Sequence, residues 1–147
     1  MLSKVSYIDN LENWRSEFSF CIPIKIRFSE TDMFGHVNNV SPFIYFEEGR
    51  IEFLKSIGMF DNDYSGSMPI VADLQCDYLK QMYFNEKLNL YVKADQIGTT
   101  SFDVHYMGLK SEGELCLTGR GRMVYIDPET GNPVPLSESM KSSLKAI

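Results

Sequence analysis

At 147 residues the chain is long enough to bury one sizeable core and short for two, and its 44% hydrophobic, 13% aromatic and 23% charged residues suit a folded globular protein, not a disordered or fibrous one. With 14 Lys plus Arg against 20 Asp plus Glu, a formal charge of -6 and no basic run, it would repel a phosphate backbone, which argues against nucleic acid as a partner. Cys21, Cys76 and Cys116 lie far apart in apolar segments, which fits neither a disulfide framework nor a zinc knuckle and predicts reduced thiols in a cytoplasmic protein.

Residues 1–19 form a polar lead-in with acids throughout and no continuous apolar stretch, so they read as neither a signal peptide nor an anchor, and no later run reaches membrane-spanning length. "FCIPIKIRF" (Phe20 to Phe28) then alternates Ile22, Ile24, Ile26 and Phe28 against Pro23, Lys25 and Arg27, the period of a half-buried strand, and Pro23 suggests a sheet edge. A polar loop, "SETDMFGHVNN", leads into "SPFIYFEEGRIEFLKSIGM". Pro42 suits a first helical turn, Ser41 or Asn39 can cap it and Gly58 can end it, which predicts a helix over about Val40 to Ile57. Its apolar face carries Phe43, Phe46, Ile51, Phe53, Leu54 and Ile57. Glu47 and Arg50 fall inside that sector, spaced to pair with each other.

After a loop, "GMFDNDYSGSMP", four segments read as strands: Ile70 to Lys80, Glu86 to Gly98, Ser101 to Ser111 and Gly113 to Asp127. Turn signals "GTT" and "SEGE" make the last three an antiparallel meander, and "SESMKSSLKA" predicts a terminal helix at about 137–146 capped by Ser137. The whole is a single α+β domain, 1–147, in which a curved antiparallel sheet wraps one long helix. With only one helix to cover the sheet, edge-to-edge pairing of two copies would protect what remains exposed.

Taken singly, the loop residues fit ordinary structure: an Asx turn at Asp32, a tight bend at Gly35, a cap from Asn38 or Asn39. No metal site is expected, since His36 and His105 are the only histidines and no local ligand pair exists; no serine elbow, phosphate loop or dinucleotide fingerprint is present either, and no cofactor is expected. Cys76, mid-strand, reads as core. A carboxylate in a loop running into a helix N-terminus, however, sits beside free backbone N–H groups that can polarise a carbonyl oxygen, which is an acyl-transfer site in outline.

The motif R-F-x-E-T-D-x-x-G-H-V-N-N followed by Y-F-E-E-G-R-I-E-F-L closely resembles the 4-hydroxybenzoyl-CoA thioesterase-like branch of the hotdog-fold acyl-CoA thioesterases, over nearly the whole domain as far as "NPVPLSESM". The resemblance implies a hotdog fold, homodimers or tetramers with active sites between protomers, and hydrolysis of an acyl-CoA to a carboxylic acid and CoA. Asp32 matches the catalytic carboxylate and the Asn39 N–H the carbonyl-polarising donor. His36 and Asn38 match pocket-shaping positions, and Glu47 a supporting acid on the helix. Pro42 departs from the Tyr often found there, which bears on the acyl pocket. For the substrate, Phe43 is a candidate lining residue with Phe46, Met68, Tyr78 and Tyr83. Lys80, Lys110 or Arg122 are candidates for the CoA phosphates, and Thr100, Ser101 and Phe102 for pantetheine. A non-catalytic acyl-thioester-binding module and an acyl-carrier-protein thioesterase are the competing readings.

Overall fold

The computed structural model describes residues 5–60 and 66–146; the expected loop after the long helix lies partly outside this range, at 61–65. Five strands, β1 (Phe20–Lys25), β2 (Met68–Tyr78), β3 (Lys87–Asp95), β4 (Ser101–Lys110) and β5 (Leu115–Ile126), form one antiparallel sheet in the order β1-β3-β4-β5-β2. The meander β3-β4-β5 is therefore as expected, and β1, with Pro23 in it, is an edge. At the other edge stands β2, which carries a register shift between Val71 and Asp73.

Helix α1 (Leu11–Ser16) precedes the sheet, and α2 (Ser41–Ser56) lies across its inner face. Strand alternation sends Leu88, Leu90 and Val92, then Phe102, Val104 and Tyr106, inward to a core that holds Phe46, Phe53 and Leu54 of α2. The helix presses closest at Gly49, where an added Cβ would meet Leu90 Cδ2 at 2.7 Å. Gly119 does the same for the ring of Phe46, which stacks on Tyr106 with centroids 4.2 Å apart. Past the end of α2, Gly58 adopts φ +81° and donates to the Lys55 carbonyl while Met59 donates to that of Leu54, a Schellman stop.

Two expectations about α2 need correction. The residues it buries are Ser41, Pro42, Tyr45, Phe46, Gly49, Arg50, Phe53 and Leu54, so the stripe is rotated from the predicted one and Ile51 and Glu47 face outward. Arg50 is buried without Glu47 and donates instead to the Tyr106 hydroxyl, at 3.2 Å.

The lead-in also differs from a simple polar tail. Asn10 caps α1 by accepting from the Asn13 N–H, and Trp14 and Phe18 pack with Met107 and Leu109 on the outer face of the sheet. Strand β4 is buried along both faces as a result. The one long central helix is as expected, but it is not the sheet's only cover, because α1 packs on the back of the sheet. Trp14 Nε1 donates to His105 Nδ1 at 2.9 Å, Tyr7 donates to Thr118 and Asp77, and Lys93 pairs with Glu17 and Asp95. Helix α3 (Glu138–Lys145), capped by Ser137, closes the chain with Leu144 in the main core.

Candidate active site

A single 3₁₀ turn at Phe28–Glu30 delivers the chain from β1 into a small hairpin. Thr31 bridges Val37, the Asn38 N–H donates to the Glu30 carbonyl at 2.9 Å, and Asp32 and His36 face each other at the tip. Gly35, at φ +81°, makes the turn possible. Asp32 Oδ1 accepts from the N–H groups of Phe34 (2.9 Å) and His36 (3.1 Å), so the Asx-turn reading is correct for this oxygen. Oδ2 has no partner among the described residues, and the side chain is exposed. Asp32 therefore shapes the loop with one oxygen and offers the other outward.

The hairpin is fastened to α2 by Glu30. Its carboxylate accepts from the Tyr45 hydroxyl and from the Arg27 N–H, each at 2.9 Å, and its carbonyl receives Asn38. Burial and this carboxylate push the Tyr45 phenol up. Neither Glu30 nor Tyr45 stands out in the sequence; the available cue is a glutamate two residues before Asp32 and a tyrosine early in the helix.

The helix start settles which donor is free. Neither Ser41 nor Asn39 supplies the cap: Asn38 Oδ1 accepts from the N–H groups of Val40 (2.9 Å) and Ser41 (2.8 Å). Pro42 has no N–H, and that of Phe43 goes to the Val40 carbonyl. Upstream, the Val37 N–H is taken by the Met82 carbonyl and that of Asn38 by Glu30. From His36 through Phe43, the Asn39 N–H alone finds no acceptor among the described residues, and Asn39 is exposed. An unpaired N–H at the positive end of α2 is suited to a carbonyl oxygen that gains negative charge.

His36 is half-buried with its ring 5.0 Å from that of Tyr83, which carries the Lys110 ammonium at 5.5 Å. Lys110 pairs with Glu86 and Glu114, and Lys80 with Glu114, so both lysines stand at the hairpin's end of the sheet. Arg122 does not join them; it binds Asp103 on the outer face. Beside Pro42 a cleft of about 140 Å³ is lined by Val37, Tyr78, Leu79, Lys80, Gln81 and Met82. Phe43 is half-buried against the core, Phe46 is wholly inside it, and Met68 sits exposed at the far end of β2. Burial pushes the Cys76 thiol up to about 12, which removes it as a thiolate nucleophile at neutral pH.

Other candidates are not gathered by one chain. Glu47 projects outward from α2, in a groove of about 510 Å³ with Ile44 and Ile51. Ser101 starts β4, with Thr100 in the bend before it, and the strand's other end, Lys110, adjoins the site, a separation of about 30 Å at 3.3 Å per residue. Phe102 is 0% exposed and belongs to the core. Among the described residues no group of three or more His, Cys, Asp or Glu side chains could hold a metal ion.

The family model described as the thioesterase-like superfamily matches residues 26–144. The chain belongs to the thioesterase-like superfamily. Five antiparallel strands around α2 give it the hotdog fold of that superfamily. A relative from Bacillus subtilis, "Uncharacterized protein YsmA", is 45% identical and is matched over 95% of both chains. "Acyl-acyl carrier protein thioesterase ATL3, chloroplastic" of Arabidopsis thaliana is 32% identical over 82% of this chain and 65% of its own length. A solved thioesterase from Thermus thermophilus, complexed with coenzyme A and Zn, superposes with a TM-score of 0.76 at 26% identity, covering 88% of this chain and 99% of the other.

Proposed function

We propose that this member of the superfamily hydrolyses an acyl-CoA thioester, within the 4-hydroxybenzoyl-CoA thioesterase-like branch. The observation that carries the proposal is the pairing of a carboxylate oxygen, Asp32 Oδ2, with an N–H, that of Asn39, neither of which has a partner among the described residues, across one short hairpin at a helix N-terminus. The thioester carbonyl oxygen takes the Asn39 N–H, and the electrophilic carbon faces Asp32. The carboxylate either draws a proton from an attacking water or attacks the carbon itself to give a mixed anhydride that water then opens. Both routes consume one water and release a carboxylic acid and CoA. The sulfur leaves as a thiolate, stable enough at a thiol pKa of roughly 8.5 to need no dedicated acid, so His36 orients substrate rather than protonating it. One oxyanion donor of this kind is worth about 3–4 kcal/mol in other enzymes.

The substrate-binding expectations require a second copy. An antiparallel pair of β2 edges would turn the partner's sheet end for end, bringing the partner's Thr100 and Ser101 toward Asn39 and Glu47 toward the shared cleft. Three cysteines spread through apolar segments suit a reducing compartment, and on that ground we place the proposed activity in the cytoplasm. The relative named for acyl carrier protein favours a second reading, with the same chemistry on a carrier-bound acyl group. Thiol release from a panel of acyl-CoAs, from acetyl to palmitoyl plus aromatic thioesters, run beside the same acyl groups on carrier protein, separates the two. Faster turnover of the CoA esters supports the proposal. Turnover on carrier thioesters alone moves it to the second reading, and none on either overturns hydrolysis.

A further inference from the structure

Resting on the thioesterase reading, we infer that Tyr78, the last residue of β2, is a positioning residue whose hydroxyl aims the Asn39 amide at the substrate carbonyl. Its hydroxyl donates to the Asn39 carbonyl oxygen. The two sides of residue 39 are thus held differently: the Asn38 side chain locks the helix start by accepting from Val40 and Ser41, and the Glu30 carbonyl locks the hairpin strand by accepting from the Asn38 N–H. The Asn39–Val40 peptide is held at both ends, its N–H by Asn38 Oδ1 and its carbonyl by the Tyr78 hydroxyl, and only Tyr78 reaches that carbonyl among the described residues.

Tyr78 is well placed for the task. It faces the α2 side of the sheet, opposite Leu117, next to Cys76, and its ring borders the cleft beside Pro42. Burial and the neighbouring Cys76 push the phenol up to about 12, so the hydroxyl keeps its proton through the neutral range. The preceding residue, Asp77, accepts from Tyr7 of the N-terminal segment, which secures the end of the strand from the outer face. Tyr78 touches neither the thioester carbon nor Asp32 in this scheme; it holds the Asn39–Val40 peptide by its carbonyl and so acts on the Asn39 N–H from across the Asn39 Cα.

The test compares Tyr78→Phe and Tyr78→Leu with the wild type. Phe keeps the ring, so a purely structural role survives in that variant, whereas a positioning hydroxyl is lost in both. The expected result is a fall in kcat of about five- to tenfold, the size of one hydrogen bond, in Tyr78→Phe with KM little changed, and faster amide hydrogen exchange at Val40 by NMR. Wild-type kcat and unchanged exchange in Tyr78→Phe, with losses confined to Tyr78→Leu, would overturn the inference. Should the wild type turn over no thioester, the catalytic reading fails on its own, and the exchange rates still decide whether Tyr78 clamps Asn39.

Discussion

Asn38 governs the entry to α2 more than any residue inside the helix. One side-chain oxygen accepts two N–H groups, those of Val40 and Ser41, and Pro42, next in the chain, asks for none. Replacing Asn38 with Ala frees both donors and removes a cap worth about 1 kcal/mol. The urea midpoint of Asn38→Ala should fall accordingly, with the sheet unaffected in circular dichroism. Turnover should fall further than stability explains, because the backbone that carries the Asn39 N–H loses the side chain that fixes it. Glu30 is the companion anchor, since it ties the hairpin to Tyr45 and to Asn38 at once. The roles of Asp32 as turn-former and as candidate base do not compete, because they use different oxygens.

At the scale of elements, the strands are legible in the sequence wherever one face meets the core: Leu88, Leu90 and Val92 alternate cleanly because β3 turns only those residues inward. The face of α2 is misleading for a physical reason. Gly49 marks the closest approach of helix to sheet, yet a residue with no side chain contributes nothing to an apolar stripe, so the predicted face swings toward Ile51 and takes Glu47 with it. The hairpin's chemistry is legible because acid, glycine, histidine and asparagines are contiguous; the far contacts of Tyr78 and Tyr45 are not, since they depend on register across the sheet. Helix α1 is hidden by its length, six residues being too few for a periodic signal.

That helix carries its own prediction. His105, 2% exposed, is held well below its ordinary range, at about 4, chiefly by burial, with Lys93 and Arg120 adding to the effect and Asp95 and Asp103 opposing it. It accepts from Trp14 and packs against Tyr7, so the docked segment needs it neutral. A base whose folded pKa is depressed contributes stability that is complete above its unfolded value of about 6.5 and is lost as the pH falls from there toward 4. The emission of Trp14, the sole tryptophan, should therefore shift red in that window as the segment loosens. His105→Gln, which keeps an acceptor for Trp14 but takes up no proton, should flatten the transition; an unchanged pH dependence in that variant would place the cause elsewhere.

For the whole molecule, the open question is the β2 edge. Among the described residues no strand pairs with its outer side, and Met68, Ile70, Val71 and Tyr78 stay exposed in a single chain, a surface that isolated proteins rarely leave bare. Sedimentation should give at least twice the chain mass of 16.9 kDa, and Ile70→Lys with Val71→Lys should return it to the mass of one chain while depressing turnover, because Thr100 and Ser101 would no longer be supplied from a neighbour. A double variant that sediments as one chain at full activity would show that each chain works alone.

The central claim is that the free oxygen of Asp32 does the chemistry at a carbonyl held by Asn39. Asp32→Asn on the best thioester of the panel tests it most directly, since Asn keeps an oxygen to accept from Phe34 and His36 and so preserves the turn while removing the base. The account predicts a loss in kcat of about a hundredfold or more at nearly unchanged KM and stability. Wild-type turnover in the variant would contradict it and leave Asp32 as a loop residue.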